Sequence, residues 1–204
     1  IQISTDEVYG DMDDYKKENI LNKSADETHS LNPSSYYSAT KAAADLLVKS
    51  AHRTFGLPYL ITRTCNNFGE HQNPEKFLPK IYQCIKENKE IPVYGDGNQS
   101  REWIWVEDKV KILWELIQSE EAINEVYNIG SGIEYKNLEL INLINDCLPE
   151  NKAQIKFVLD RLGHDRAYRL SCMNLRKFWD IPKLGSLPYK FKHIKDYFKD
   201  LYIS

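Results

Sequence analysis

The chain is 204 residues long, 42% hydrophobic and 28% charged, with a formal net charge of −3. This composition fits one ordinary soluble domain or two small subdomains; the weak charge gives no electrostatic reason for a nucleic-acid partner, and no apolar run is long enough to span a bilayer. Four cysteines (Cys65, Cys84, Cys147, Cys172) stand far apart without a C-x-x-C pair, which points away from a metal centre or disulfide scaffold and toward reduced thiols in a cytoplasmic protein.

Ile1 to Ser4 reads as the end of a buried strand, with neither an initiator Met nor a signal-peptide pattern. Domains seldom begin inside a core element, so a piece of a longer protein is expected. A polar, acidic stretch over roughly residues 11–34 reads as a surface loop. An alanine-rich helix follows over about 38–55, ended by Gly56. Residues 58–62 read as a parallel core strand. A helix with Pro79 near its start runs to about residue 89, and a strand over 91–94 stops at Gly95-Asp96-Gly97. Another strand covers 102–106. Val110, Leu113, Trp114 and Ile117 recur at helical spacing and predict the buried face of an amphipathic helix. A strand over 126–129 closes at Gly130-Ser131-Gly132, and a helix over 137–148 places Leu140, Leu143, Ile144 and Cys147 on one face. A strand over 155–159 and a helix carrying Ile194, Tyr197, Phe198 and Leu201 complete the chain. The alternation of strand and helix predicts an α/β fold. Trp103, Trp105, Trp114 and Trp179 read as packing residues, and the histidines outside the motifs below show no metal spacing.

Two clusters carry chemistry. Ser4-Thr5-Asp6-Glu7-Val8-Tyr9-Gly10 lies at the carboxyl end of a strand, the edge where open α/β sheets bind ligands. Its two adjacent carboxyls suit an acid–base pair if their surroundings separate their proton affinities; a solvated turn is the plain alternative. Tyr37 and Lys41 share one helix face at i, i+4. A nearby ammonium lowers a phenol's pKa and makes it a base; a surface pair is the plain alternative here too.

Taken together, Thr-Asp-Glu after a strand and Tyr-x-x-x-Lys on the next helix resemble the extended short-chain dehydrogenase/reductase family. Within it, the wording around Asp6 is similar to the dTDP-glucose 4,6-dehydratases, and Asp6 sets the chain apart from related epimerases and decarboxylases. Further matches follow in family order: Arg63 to Gly69, Pro74 to Phe77, Pro92 to Gly97, Arg101 to Trp103, Val106 to Asp108, Tyr127 to Gly130, and Asp160 to Asp165.

The resemblance implies a three-step reaction using NAD. The C4 hydroxyl of a nucleotide-diphosphate glucose is oxidised, water is eliminated across C5 and C6, and hydride returns to C6. Carried over, Tyr37 is the C4 base, Lys41 holds the cofactor ribose and depresses the tyrosine pKa, and Thr5 bonds the C4 oxygen. Glu7 takes the C5 proton, and a protonated Asp6 donates to the departing C6 hydroxyl. Ser4 and Asn67 contact the cofactor. Asn66, Glu75, Lys76 and Phe77 line the substrate site; Pro92, Val93 and Tyr94 flank the base; Arg101 and Arg161 bind the diphosphate; Asn128 and His164 add polar contacts. No metal is implied.

The implied fold is a partial NAD-binding Rossmann-type parallel sheet over residues 1–70, with the catalytic residues, plus a smaller α/β C-terminal substrate-binding subdomain over 71–204. Short returns to the sheet are expected near 98–132. The family's glycine-rich cofactor turn is not among these residues, so on the order of 100 residues of nucleotide-binding fold are expected upstream. Gly130-Ser131-Gly132 lacks the third glycine of that turn. Lys109 and Ala167 depart from the pattern without touching the implied chemistry. The family's homodimer forms through the helix bearing Tyr37 and Lys41. The sequence alone leaves two other readings: an epimerase or decarboxylase of the same fold, and a truncated, non-catalytic sugar-nucleotide-binding protein.

Overall fold

The computed structural model describes residues 1–13, 24–147, 154–178 and 193–203. Its elements in chain order are β1 (Gln2–Thr5), a 3₁₀ turn (Asp6–Tyr9), α1 (Tyr36–Phe55), β2 (Leu60–Thr64) and β3 (Asn66–Phe68). Then come α2 (Phe77–Lys86), β4 (Ile91–Tyr94), β5 (Ser100–Trp105), α3 (Val106–Gln118), β6 (Glu125–Ile129) and β7 (Glu134–Lys136). α4 (Asn137–Cys147), β8 (Ile155–Val158), α5 (Met173–Phe178) and α6 (Ile194–Ile203) follow. The α/β alternation is as expected. The two short strands β3 and β7, and α5, were not predicted; each is too short to print a periodicity on the sequence.

Three parallel strands in the order β1-β2-β6 make the first sheet, with Thr5 opposite Thr64 and Thr64 opposite Ile129. All five residues of β2 are buried, including the polar Thr62, Arg63 and Thr64, and so the strand runs two residues past its predicted end. β5 pairs with β3 in parallel and with β7 antiparallel. β4 and β8 form a separate parallel pair.

β5 stands between two cores because its side chains alternate. Trp103 and Trp105 point into a core built from α2, β4, α4 and α6, with Leu78, Ile81, Leu140, Ile144 and Phe198 at its centre. Ile104 points the other way, against Leu60, Ile112, Leu116 and Ile129. A third, smaller cluster of Val8, Tyr9, Met12, Ala25 and Ala42 lies under the 3₁₀ turn. Leu140, Ile144 and Cys147 are buried as expected, while Trp179 lies outside the described residues, as do Leu148 and the side chain of Leu201.

The helix α3 corrects one expectation. Ile112 and Leu116 form its buried side, whereas Val110, Trp114 and Ile117 are 54%, 62% and 40% exposed. Both faces of this helix are apolar, so periodicity alone could not say which faces inward; Trp114 is therefore a surface residue of this chain.

Pro79 sits in the first turn of α2, where a missing N–H costs no helical bond. Gly56 ends α1 in the left-handed conformation, with φ 67°. α1 begins two residues earlier than its alanine pattern suggests, because Ser35 and Ser38 form a reciprocal cap: each backbone N–H donates to the other's hydroxyl, at 3.0 and 3.1 Å. That cap puts Tyr37 in the first turn and Lys41 one turn on. Small Ala42, next along the helix, is buried, letting α1 lie close to β1 and the turn that follows it.

Candidate active site

At the end of β1 the chain turns at once into a one-turn 3₁₀ helix. Thr5 caps it, accepting from the Glu7 N–H at 3.4 Å, and Gly10 leaves it with φ 77°. The short turn keeps Asp6 and Glu7 at the sheet edge and directs Asp6 inward. Asp6 is 2% exposed. Its Oδ1 accepts from the Thr5 hydroxyl at 3.1 Å, and its buried Oδ2 has no hydrogen-bond partner among the described residues. Burial first, then the charges of Glu7 and Glu102, push the Asp6 pKa up to about 8. A carboxyl in that setting keeps its proton at neutral pH.

Glu7 is half-buried and its pKa is also raised, by burial, but Arg101, Arg161 and Lys76 oppose the shift. Both carboxyls feel Arg101, but Asp6 is fully enclosed with Glu7 and Glu102 near it, whereas Glu7 is more open and meets Arg161 and Lys76 as well as Asp165. Tyr37 lies close enough to both to feel their charge and bonds to Thr5. Its pKa moves up, because burial and the Glu7 and Asp6 charges dominate. This corrects the expectation that Lys41 depresses it. The Lys41 Nζ donates to the Ile3 carbonyl at 2.9 Å and stands 5.9 Å from the Tyr37 ring centre.

The second group of expected residues gathers beyond Glu7. The Arg161 guanidinium lies 4.9 Å from the ring centre of Tyr94 and its Nη2 meets His164 Nε2 at 3.0 Å. His164 Nδ1 meets Asp160 Oδ1 at 2.7 Å, and burial holds the imidazole pKa below its usual value. A neutral ring that donates from Nδ1 to Asp160 presents Nε2 as acceptor to Arg161. Arg101 packs its guanidinium 4.4 Å from the Tyr168 ring centre and donates to the carbonyls of Ser100, Asp165 and Arg166. Tyr168, which the sequence reading missed, donates to Asp165 at 2.7 Å. Its signal was its place three residues beyond the Asp160–Asp165 motif.

Three expected contacts are corrected. Asn128 is fully buried; its Oδ1 accepts from Tyr9 and its Nδ2 donates to the carbonyls of Ala25 and Ser171, so no side-chain group is left for a substrate. Val93 is a core residue, 1% exposed, because alternation along β4 turns it away from the face that shows Tyr94. The hydroxyl of Ser4 is buried and donates to Asp45 at 3.1 Å, so its side chain serves the core and not a cofactor. Phe77 packs partly against the large core, Pro92 is half-buried, and Glu75 and Lys76 are exposed at the start of α2. Asn66 and Asn67 are half-buried on β3, and the Asn67 Oδ1 is buried without a partner.

Residues 1–130 match the family model described as the NAD dependent epimerase/dehydratase family. The chain belongs to that family. Among epimerase/dehydratase relatives, the low-salt glycan biosynthesis protein Agl12 of Haloferax volcanii is 50% identical over 170 residues, covering 83% of this chain and 52% of the relative. A dTDP-glucose 4,6-dehydratase of Neisseria gonorrhoeae is 40% identical over 197 residues, covering 91% and 54%. The crystal structure of a dTDP-glucose 4,6-dehydratase of Streptomyces venezuelae, with NAD and TYD bound, superposes with a TM-score of 0.82 at 35% identity, covering 98% of this chain and 57% of that one. The chain therefore spans about half the length of the curated relatives it matches. The parallel sheet and the turn after β1 are those of the Rossmann-type fold shared by the epimerase/dehydratase family.

Proposed function

We propose that the protein carries the catalytic residues of an NAD-dependent dehydratase that converts a nucleotide-diphosphate glucose, dTDP-glucose, to its 4-keto-6-deoxy form. The carrying observation is Asp6, buried with one oxygen unpartnered and its pKa raised to about 8, beside a Glu7 that faces cations. Elimination across two adjacent carbons requires one group to give a proton and a neighbour to take one, and Asp6 and Glu7 stand side by side for those roles.

In this reading Tyr37 accepts the C4 hydroxyl proton while Thr5 bonds the same oxygen. Glu7 removes the C5 proton, and Asp6 protonates the C6 hydroxyl as it leaves. Arg101 and Arg161 bind the diphosphate, with His164 and Tyr94 beside them; Asn66, Glu75, Lys76, Phe77 and Pro92 line the remainder. The residues present fit NAD: Lys41 stands beside Tyr37, and Asn67 offers a buried acceptor oxygen that has no partner among the described residues. When bound, NAD supplies reversible hydride transfer at the sugar. The same reading divides the chain into the remainder of a cofactor-binding domain over residues 1–70 and a substrate-binding subdomain over 71–204, and it sets the enzyme in the cytoplasm. No helix among the described residues is long and apolar enough to cross a membrane.

The test is product identification by NMR after incubation with NAD and dTDP-glucose, using the 204-residue chain and, in parallel, a fusion carrying the first half of a relative. The 4-keto-6-deoxy product is expected from the fusion and not from the chain alone. An epimerised sugar from the fusion would falsify the assignment; binding without turnover would indicate a sugar-nucleotide-binding protein.

α1 also supports a homodimer. Tyr36, Leu46 and Leu47 are 95%, 59% and 70% exposed on the helix that bears Tyr37 and Lys41, and apolar side chains in such number on one helix suit burial against a second copy. Sedimentation at twice the monomer mass, lost in a Leu46→Glu/Leu47→Glu variant, is the expected result; monomeric behaviour of the parent protein removes the idea.

A further inference from the structure

Asp11 takes no part in the reaction as proposed, yet its side chain joins the two groups of residues that the reaction needs. It follows the Asp6–Tyr9 turn after a single residue, Gly10. Gly10 has φ 77°, and its N–H donates to the Glu7 carbonyl at 3.2 Å. A side chain at Gly10 would run into the Asn32 carbonyl. Little backbone freedom therefore separates Asp11 from Glu7.

The carboxylate of Asp11 reaches the segment that follows Arg161 and His164. Its Oδ2 accepts from the Arg166 N–H at 2.9 Å, and its Oδ1 accepts from the Ala167 N–H at 3.1 Å. Oδ1 also accepts from the Asp13 N–H at 3.0 Å. Beside this pair of bonds the Met12 N–H donates to the Ala167 carbonyl at 2.9 Å. Two successive amides that converge on one carboxylate fix each other's place, and hydrogen bonds to an ionised acceptor are about twice as strong as neutral ones.

The same stretch of backbone holds Arg101 through its carbonyls. The Arg166 carbonyl accepts from the Ser100 N–H at 2.7 Å and from Arg101 Nη1 at 3.3 Å. The Asp165 carbonyl accepts from Arg101 Nη2 at 3.0 Å. These bonds, with the Tyr168 ring against the guanidinium, keep Arg101 in place without help from Asp11. What Asp11 adds is a short path from the arginine to the turn: from Arg101 to the Arg166 peptide, across the carboxylate, and through Gly10 to Glu7.

We propose that Asp11 is a positioning residue for the dehydration, fixing the register between the groups that grip the diphosphate and the acid–base pair that acts on the sugar. The inference rests on the function proposed above. Binding energy gained far from the reacting atoms speeds a reaction only where a stiff link carries it to them. A misplacement of ~1 Å across such a link costs about 10²-fold in rate.

Asp11→Asn and Asp11→Ala in the fusion test the proposal, through kcat for dehydration and the dissociation constant of dTDP measured by calorimetry. Asn keeps Oδ1 for the Ala167 and Asp13 amides but turns an NH₂ toward the Arg166 N–H; Ala removes all three bonds. The expected result is a kcat lowered in Asp11→Asn and lowered further, by about 10²-fold, in Asp11→Ala, with dTDP bound as tightly as by the parent fusion. Loss of dTDP affinity in step with kcat shows that Asp11 merely supports the arginine's surroundings, and overturns the proposal. An unchanged kcat in Asp11→Ala overturns it too. Should Asp11→Ala fail to fold, Asp11→Asn decides by the same two readings, since it keeps the Met12–Ala167 backbone bond and two of the three carboxylate contacts. A parent fusion that makes no 4-keto sugar overturns the proposed function and this inference together; an active parent beside unaffected variants overturns the role of Asp11 alone.

Discussion

Asp6→Asn is expected to remove dehydration from the fusion carrying a relative's first half, while making the 204-residue chain more resistant to alkaline unfolding. Asparagine keeps Oδ1 as an acceptor for the Thr5 hydroxyl and places an amide where Oδ2 now stands unpartnered. It has no proton to give to a leaving hydroxyl, and loss of a positioned general acid costs roughly 10²–10⁴-fold in rate. Tyr37, Thr5 and Glu7 are untouched, so substrate in D₂O still exchanges its C5 proton while C6 elimination stops. On the proposed function, dehydration by the fusion is expected to fall as pH rises through about 8, where Asp6 loses its proton.

The stability sign follows from linkage. The folded pKa of Asp6 lies above its ordinary 3.8, so the native state binds more protons than the unfolded state between those values. The contribution is fully present below the ordinary carboxylate pKa and is lost as pH rises through about 8. Asn carries no charge to bury, so the variant's advantage in thermal midpoint grows from about pH 5 to about pH 9. Equal midpoints at both ends, or retained dehydration, would show that Asp6 is not a buried neutral acid.

The juxtaposition of the candidate residues was readable because it depends on short-range order. Thr5, Asp6 and Glu7 follow a strand directly, and Tyr37 and Lys41 are one helical turn apart, so local geometry nearly determines their relation. Arg101, Arg161, His164 and Tyr94 are far apart in sequence, and only their family order brought them forward; the structure sets Arg161 against Tyr94 and His164 and both arginines within charge range of Glu7. What escaped was burial and orientation. Nothing in the local pattern distinguishes a polar residue that meets ligand from one that is spent inside the core, as with Ser4 and Asn128. Val93 went astray for a related reason, since the phase of a four-residue strand is ambiguous until its partners are known. The fold was legible wherever periodicity had room to repeat, and least so at α3, where both faces are apolar. The direction of the Tyr37 shift depended on two carboxylates that sequence spacing could not weigh against Lys41.

Arg63→Met is expected to destabilise the chain more than any catalytic substitution. Arg63 is 2% exposed, and its Nε donates to Asp45 Oδ2 at 2.9 Å, with Asp45 itself fully buried. The guanidinium also donates from Nη1 to the Tyr9 hydroxyl at 2.8 Å, which passes the chain of bonds to Asn128 at 2.7 Å. Asp45 already has one oxygen without a partner; without Arg63, its other oxygen keeps only the Ser4 hydroxyl. A buried charge left so costs about 3–5 kcal/mol, which in a chain of this size lowers the thermal midpoint by roughly 10 °C. Adding Asp45→Leu removes the stranded charge and recovers much of the loss, because a buried pair replaced by apolar side chains is near neutral. The recovery has a functional limit. Tyr9 closes the turn that carries Asp6 and Glu7, and Asp45 lies one helical turn beyond Lys41, so the pair ties the acid–base turn to the helix that holds Tyr37. The double variant should therefore regain its urea midpoint, while in the fusion its kcat stays below that of the unsubstituted fusion. If Arg63→Met unfolds at the parent's urea concentration, Asp45 is not held as a buried anion and the tie between turn and helix must be sought elsewhere.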